Sequence, residues 1–152
     1  CPFAKKTKTG GLDTTAAPLH GPGASIDEAL QRNGRWKRMQ AREVEERIDN
    51  GSDDFLLVDV RPENIHRIAS LRGSVSVPIS VFDEDDSQQK IRDAISKGIK
   101  TVCFVCAGGN NSQRAAEWFV WNTEAARDVA VFDLCGGLAS WRREVDASFP
   151  ML

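Results

Sequence analysis

The sequence predicts an α/β fold with a mostly parallel sheet. Short apolar runs recur at residues 55–60, 100–105 and 129–132, the pattern of strands buried on both faces. Segments with apolar residues at helical spacing lie between them. Strands and helices alternate along the chain instead of segregating into blocks, which is the mark of this class.

Residues 1–31 read as a linker. They hold Gly10-Gly11, Pro18, Gly21-Pro22-Gly23 and four threonines, with no sustained period. Residues 32–42 carry Arg32, Arg35, Lys37, Arg38 and Arg42 and no acidic residue. This reads as the solvated lead-in to a helix, with a docking patch as the alternative. The domain is placed at 32–152, with packing from Trp36 onward. Ala41, Val44 and Ile48 recur at helical spacing before the stop at Asn50-Gly51. Phe55-Leu-Leu-Val-Asp-Val60 is the first buried strand, and Ser74-Val-Ser-Val77 alternates up to Pro78. Asp83-Glu-Asp-Asp86, then Ile91 and Ile95, predict a helix with its acids at the N-terminal end, where the dipole favours them. Lys100–Val105 is the next strand. Ser112 is expected to cap a helix with the stripe Ala115, Ala116, Phe119 and Val120. Val129–Phe132 is a strand, Gly136-Gly137 a turn, and Leu138 and Trp141 begin a last amphipathic helix.

Composition excludes several classes. The net charge of −2 over 152 residues argues against a generally nucleic-acid-binding surface. No apolar run approaches the roughly 20 residues of a membrane helix. The first residues lack the apolar stretch of a secretory signal. The chain begins at Cys1 rather than Met, so it reads as a fragment or processed form. Cys103 and Cys135 sit in apolar surroundings and read as buried free thiols of a cytoplasmic protein.

The chemistry concentrates at residues 103–116, a strand, a glycine-rich loop and a helix. Cys106 stands where the strand ends. The candidate cradle is Ala107, Gly108, Gly109, Asn110, Asn111 and Ser112. Gly108-Gly109 permits a tight curl that turns backbone N–H groups inward, and the next helix adds its positive end. A thiol placed there ionises readily, and the same loop stabilises an anion bonded to it. Persulfide transfer and phosphatase chemistry both use such a nest. A cysteine phosphatase needs an Arg six positions after the Cys. Here Ser112 holds that position, and residues 107–111 contain no Arg or Lys. Cys103-x-x-Cys106 matches a redox spacing, but the pleat points Cys103 away from Cys106. No metal site is expected, because His20 and His66 lie far from any second cysteine pair. His66 reads as a solvated helix histidine rather than a partner of Cys106.

Leu56-Leu-Val-Asp-Val-Arg-Pro62, Gly73-Ser-Val-Ser-Val-Pro78, Cys106-x-x-Gly109-x-x-Ser112 and Cys135-Gly-Gly-x-x-x-Trp141 occur in the order and spacing of rhodaneses. The chain resembles that family over residues 55–146, which implies a five-stranded parallel sheet flanked by helices. Asp59-Val-Arg-Pro62, the loop with Gly109-Asn-Asn-Ser-Gln-Arg-Ala115, and Val145-Asp-Ala-Ser-Phe-Pro150 resemble one subgroup. It is the C-terminal domain of eukaryotic adenylyltransferase–sulfurtransferases, which activate ubiquitin-like sulfur carriers for tRNA thiolation and molybdopterin synthesis. The resemblance implies that Cys106 takes sulfur from a persulfide donor such as a cysteine desulfurase. It implies Asp59 and Arg61 as a structural clamp, and an adenylation domain upstream to which ATP and zinc belong. No cofactor is then expected in this domain. Two departures stand out: the loop lacks the basic residue of many rhodaneses, and Ser70-Leu-Arg-Gly73 replaces His-Ile-Pro-Gly. Missing loop cations imply weak use of small anionic donors such as thiosulfate. The competing readings are a general single-domain sulfurtransferase and a non-catalytic interaction module. Retention of Cys106 argues against the latter.

Overall fold

The computed structural model describes residues 36–152, so the proposed linker and the first residues of the expected domain lie outside it. Five strands, β1 (Trp36–Met39), β2 (Phe55–Asp59), β3 (Val75–Ser76), β4 (Thr101–Val105) and β5 (Ala130–Leu134), form one sheet. The helices are α1 (Ala41–Asp49), α2 (Glu63–Ile68), α3 (Asp85–Ser96), α4 (Asn111–Asn122) and α5 (Gly137–Glu144). Sheet order is β1-β5-β4-β2-β3, and each pairing is parallel. No helix among the described residues is long and apolar enough to cross a membrane.

Side-chain alternation along β4 divides the core. Val102, Phe104 and Cys106 face a cluster with Ile91 of α3 and Ala115, Ala116, Phe119 and Val120 of α4. Cys103 and Val105 face the opposite cluster, with Ala41 and Val44 of α1 and Leu138 and Trp141 of α5. The Phe104 and Phe119 rings meet edge to face, 5.5 Å between centroids, which seats α4 on the sheet just beyond the loop. Cys106 therefore stands at the carboxyl end of a fully buried central strand, where open parallel sheets bind ligands.

The basic segment departs from expectation. Residues 36–39 form an edge strand, not a helix lead-in, because Trp36, Lys37, Arg38 and Met39 pair with Val131, Phe132, Asp133 and Leu134. Lys37 is exposed and Met39 buried, so a four-residue alternation was present but too short to read alone. Ser112 does not cap α4; Asn110 occupies the N-cap position and Ser112 turns inward. Cys103 is a buried free thiol as expected, whereas Cys135 is disulfide-bonded.

Candidate functional site

The Cys106 side chain lies at the floor of the loop, only 4 % exposed. The Gly109 N–H donates to its sulfur at 3.0 Å. Gly109 has φ +96°, a left-handed conformation that favours glycine, and an added Cβ would lie 3.0 Å from the Gly136 nitrogen. Gly108 has no such requirement. Ala107, Gly108, Asn110 and Asn111 are exposed and form the rim, while Gly109 and Ser112 are buried beneath it. Arg114 lies on the exposed side of α4, bonded to the Asn111 Oδ1.

A second turn supports the loop from below. The Leu138 N–H donates to the Cys106 carbonyl at 2.9 Å and the Ala139 N–H to the Ala107 carbonyl at 3.0 Å. Gly136 and Gly137, at φ +78° and +64°, permit this close approach of backbone to backbone. The Gly109 carbonyl is held by Gln113 Nε2 at 2.8 Å and Arg38 Nη2 at 3.3 Å.

Beneath the sulfur runs a buried polar chain. Cys106 Sγ is 3.4 Å from Ser112 Oγ, to which its thiol donates. The Ser112 hydroxyl donates to Asp133 Oδ2 at 3.0 Å. Arg38 grips Asp133 with Nε on Oδ1 and Nη2 on Oδ2, both at 3.1 Å. Burial pushes the Asp133 carboxyl above its ordinary range, against the opposing pull of Arg38 and the Ser112 hydrogen bond. Sequence reasoning missed Arg38 and Asp133. The available signal was an aspartate inside the apolar strand Ala130–Leu134, a position that demands a cationic or hydrogen-bonding partner.

Asp59 and Arg61 form a buried ion pair, Arg61 Nη2 to Asp59 Oδ2 at 2.7 Å. Arg61 Nε contacts both carboxylate oxygens at 3.1 Å, its backbone N–H donates to Oδ1, and Nη2 also reaches the Ala69 carbonyl. The intervening Val60 N–H donates to the Val105 carbonyl at 2.8 Å, so the clamp fixes the chain beside the root of the loop. His66 is hydrogen-bonded to Ser74 Oγ at 3.0 Å. Cys103 lies in the opposite core cluster from Cys106, and burial, followed by the Asp133 charge, raises its thiol well above the ordinary value. Among the described residues, no three His, Cys, Asp or Glu side chains are grouped to hold a metal ion.

Comparison with known proteins agrees with this architecture. The profile of the rhodanese-like domain matches residues 40–144. The protein "Adenylyltransferase and sulfurtransferase MOCS3" of Drosophila persimilis is 31% identical over 115 residues, covering 76% of this chain and 24% of that protein. MOCS3-1 of Zea mays is 33% identical over 116 residues, 75% of this chain and 23% of its own length. The chain thus spans about a quarter of the curated relatives it matches. A rhodanese-related protein from Thermoplasma volcanium superposes with a TM-score of 0.52 at 25% identity, covering 76% of this chain and 97% of that one. An As-Sb reductase from Leishmania major shares the fold, with a TM-score of 0.63 at 16% identity over 74% of this chain and 81% of that one. The family match covers well over half of the chain, and the protein belongs to the rhodanese-like domain family.

Proposed function

We propose that Cys106 is the nucleophile of this sulfurtransferase domain and that it carries sulfur as a persulfide. The observation that supports this most directly is the thiol at the carboxyl end of β4, with the Gly109 N–H on its sulfur and no Arg or Lys at residues 107–111. The Cys106 thiolate attacks the outer sulfur of a donor persulfide. A Cys106 Sγ–S bond forms, the donor's S–S bond breaks, and the donor leaves as a thiolate. The loop from Ala107 to Ser112 surrounds the new anionic sulfur with backbone and hydroxyl dipoles rather than a point charge.

The acceptor we propose is the adenylated C-terminus of a ubiquitin-like carrier, supplied by an adenylation domain elsewhere in the protein. The support is the subgroup resemblance around Cys106 and the similarity to proteins named adenylyltransferase and sulfurtransferase. The outer sulfur attacks the acyl carbon, a C–S bond forms and AMP leaves. A second thiol then attacks Cys106 Sγ of the resulting acyl disulfide: the S–S bond breaks, a disulfide forms between Cys106 and that thiol, and the carrier leaves as a thiocarboxylate. A protein donor such as a cysteine desulfurase fits a loop without Arg or Lys at residues 107–111 better than thiosulfate.

The test is direct. Incubation with a persulfide donor should add one sulfur atom to the Cys106 peptide, removable by reductant. Cys106→Ala should abolish the addition and Cys135→Ala should retain it. Supplying adenylated carrier to the persulfidated protein should then yield a carrier thiocarboxylate by mass spectrometry. Equal labelling of every cysteine would defeat the assignment.

A further inference from the structure

The loop lacks a cation, yet one is buried beneath it. Arg38 has a side chain 12 % exposed and is committed to Asp133, which is 0 % exposed. Asp133 is joined to Cys106 by a single bridging hydroxyl, that of Ser112, itself fully buried. We propose that Asp133 and Arg38 are positioning residues that set the charge of Cys106: the two acids share one proton through Ser112, and its arrival on Asp133 unmasks Arg38 for the sulfur anion.

The step balances. The S–H bond of Cys106 breaks and its proton passes to Ser112 Oγ, while the Ser112 proton passes to Asp133 Oδ2. Cys106 becomes a thiolate and Asp133 a neutral acid, with no change in total charge. Before transfer, Arg38 is neutralised by Asp133. After transfer, its charge is free to favour a negative sulfur joined to Asp133 through the Ser112 hydroxyl. Proton sharing avoids two anions in one buried space, which a single guanidinium cannot compensate.

The surroundings support this pairing. Asp133 faces Arg38 from β1, its register partner Phe104 from β4, and Ser112 from α4. Arg38 is the charged side chain bonded to it. Cys103 feels its charge but lies on the opposite face of the sheet. Burial already drives the Asp133 carboxyl toward its neutral form.

The inference rests on Cys106 as the reactive thiol, but its readout is ionisation, so it fails separately from sulfur transfer. The pH profile of Cys106 alkylation by iodoacetamide, followed on its peptide, should move to lower pH by about one unit in Asp133→Asn, a tenfold gain in rate on the acid limb. In an Arg38→Met background the same substitution should shift the profile less, because the guanidinium that opposes the effect of burial on the Asp133 carboxyl is gone. An unmoved or upward-shifted profile in Asp133→Asn, or an equal shift in both backgrounds, overturns the proposal. A wild-type measurement covers the case in which these variants do not fold. The Asp133 carboxyl carbon resonance should titrate in two steps and collapse to one after Cys106 is alkylated. An identical titration before and after alkylation overturns it equally.

Discussion

Replacing Gly137 by Ala isolates what the second glycine turn contributes to the site. Gly137 has φ +64°, and a Cβ there would lie 2.6 Å from the carbonyl oxygens of both Cys106 and Ala107. Both obstructing atoms are backbone, so relief requires moving the loop or the helix. A left-handed residue with a Cβ costs about 1–2 kcal/mol. Separation would also strain the Leu138–Cys106 and Ala139–Ala107 hydrogen bonds, each contributing about 0.5–1.5 kcal/mol net. The expected loss is about 2–5 kcal/mol, a large share of the roughly 5–15 kcal/mol that holds a domain folded. Gly51→Ala is the matched control, since Gly51 has φ +63° and nothing within 4 Å of the added carbon. It should show the backbone component alone. Urea denaturation gives both stabilities, and Cys106 alkylation reports displacement of the loop. Equal destabilisation by the two substitutions, with unchanged alkylation, would refute the claim that close backbone contact supports the cradle.

Two further outcomes follow from buried charges. Arg61→Met leaves Asp59 buried without its partner and should cost about 3–5 kcal/mol in urea denaturation, whereas Asp59→Leu with Arg61→Met should recover most of the loss. Glu117 is raised from 4.5 chiefly by burial, against the Trp36 indole bond at 2.8 Å. Its folded value lies above its unfolded one, so the folded state holds the proton more tightly and stability falls as pH rises from about 4.5 through the folded value. Glu117→Gln keeps an acceptor for Trp36 and should remove that fall; parallel slopes for both proteins in urea midpoints against pH would contradict the sign.

The sequence made the fold legible where the signal was local. Apolar runs marked β2, β4 and β5, the spacing of Ala115, Ala116, Phe119 and Val120 marked α4, and all four are fully buried. Asn50-Gly51 ends α1 as its turn chemistry requires, with Gly51 at φ +63°. The candidate nucleophile and its loop were readable because strand, glycines and helix are contiguous. What escaped was non-local. Arg38 and Asp133 are separated by 95 positions and meet only because β1 and β5 pair in parallel. Nothing in Trp36-Lys-Arg-Met39 announces a strand until β5 is known to lie beside it. Serine near a helix start is normally a cap, which is what local sequence predicts for Ser112. The buried carboxylate of Asp133 takes its hydroxyl instead.

The inward turn of Ser112 bears on how charge preference is assigned in such loops. Counting cations between Cys106 and Ser112 gives none, and on that count the nest holds its anion with dipoles alone. The structure adds Arg38, bonded to the Gly109 carbonyl. Loop composition would then have misled, except that Asp133 accompanies Arg38 in a two-point ion pair and offsets it. The paired charges of Arg38 and Asp133 therefore add little net charge to the cradle, while a guanidinium is held against the Gly109 carbonyl. A phosphatase loop needs a permanent charge with its fork open to phosphate. Here the fork is occupied by a carboxylate, and Ser112, in the sixth position after the cysteine, connects that carboxylate to the thiol. The residue that stands where a phosphatase has its Arg completes the polar chain under Cys106, and that chain is anchored in β5 and, through Arg38, in β1.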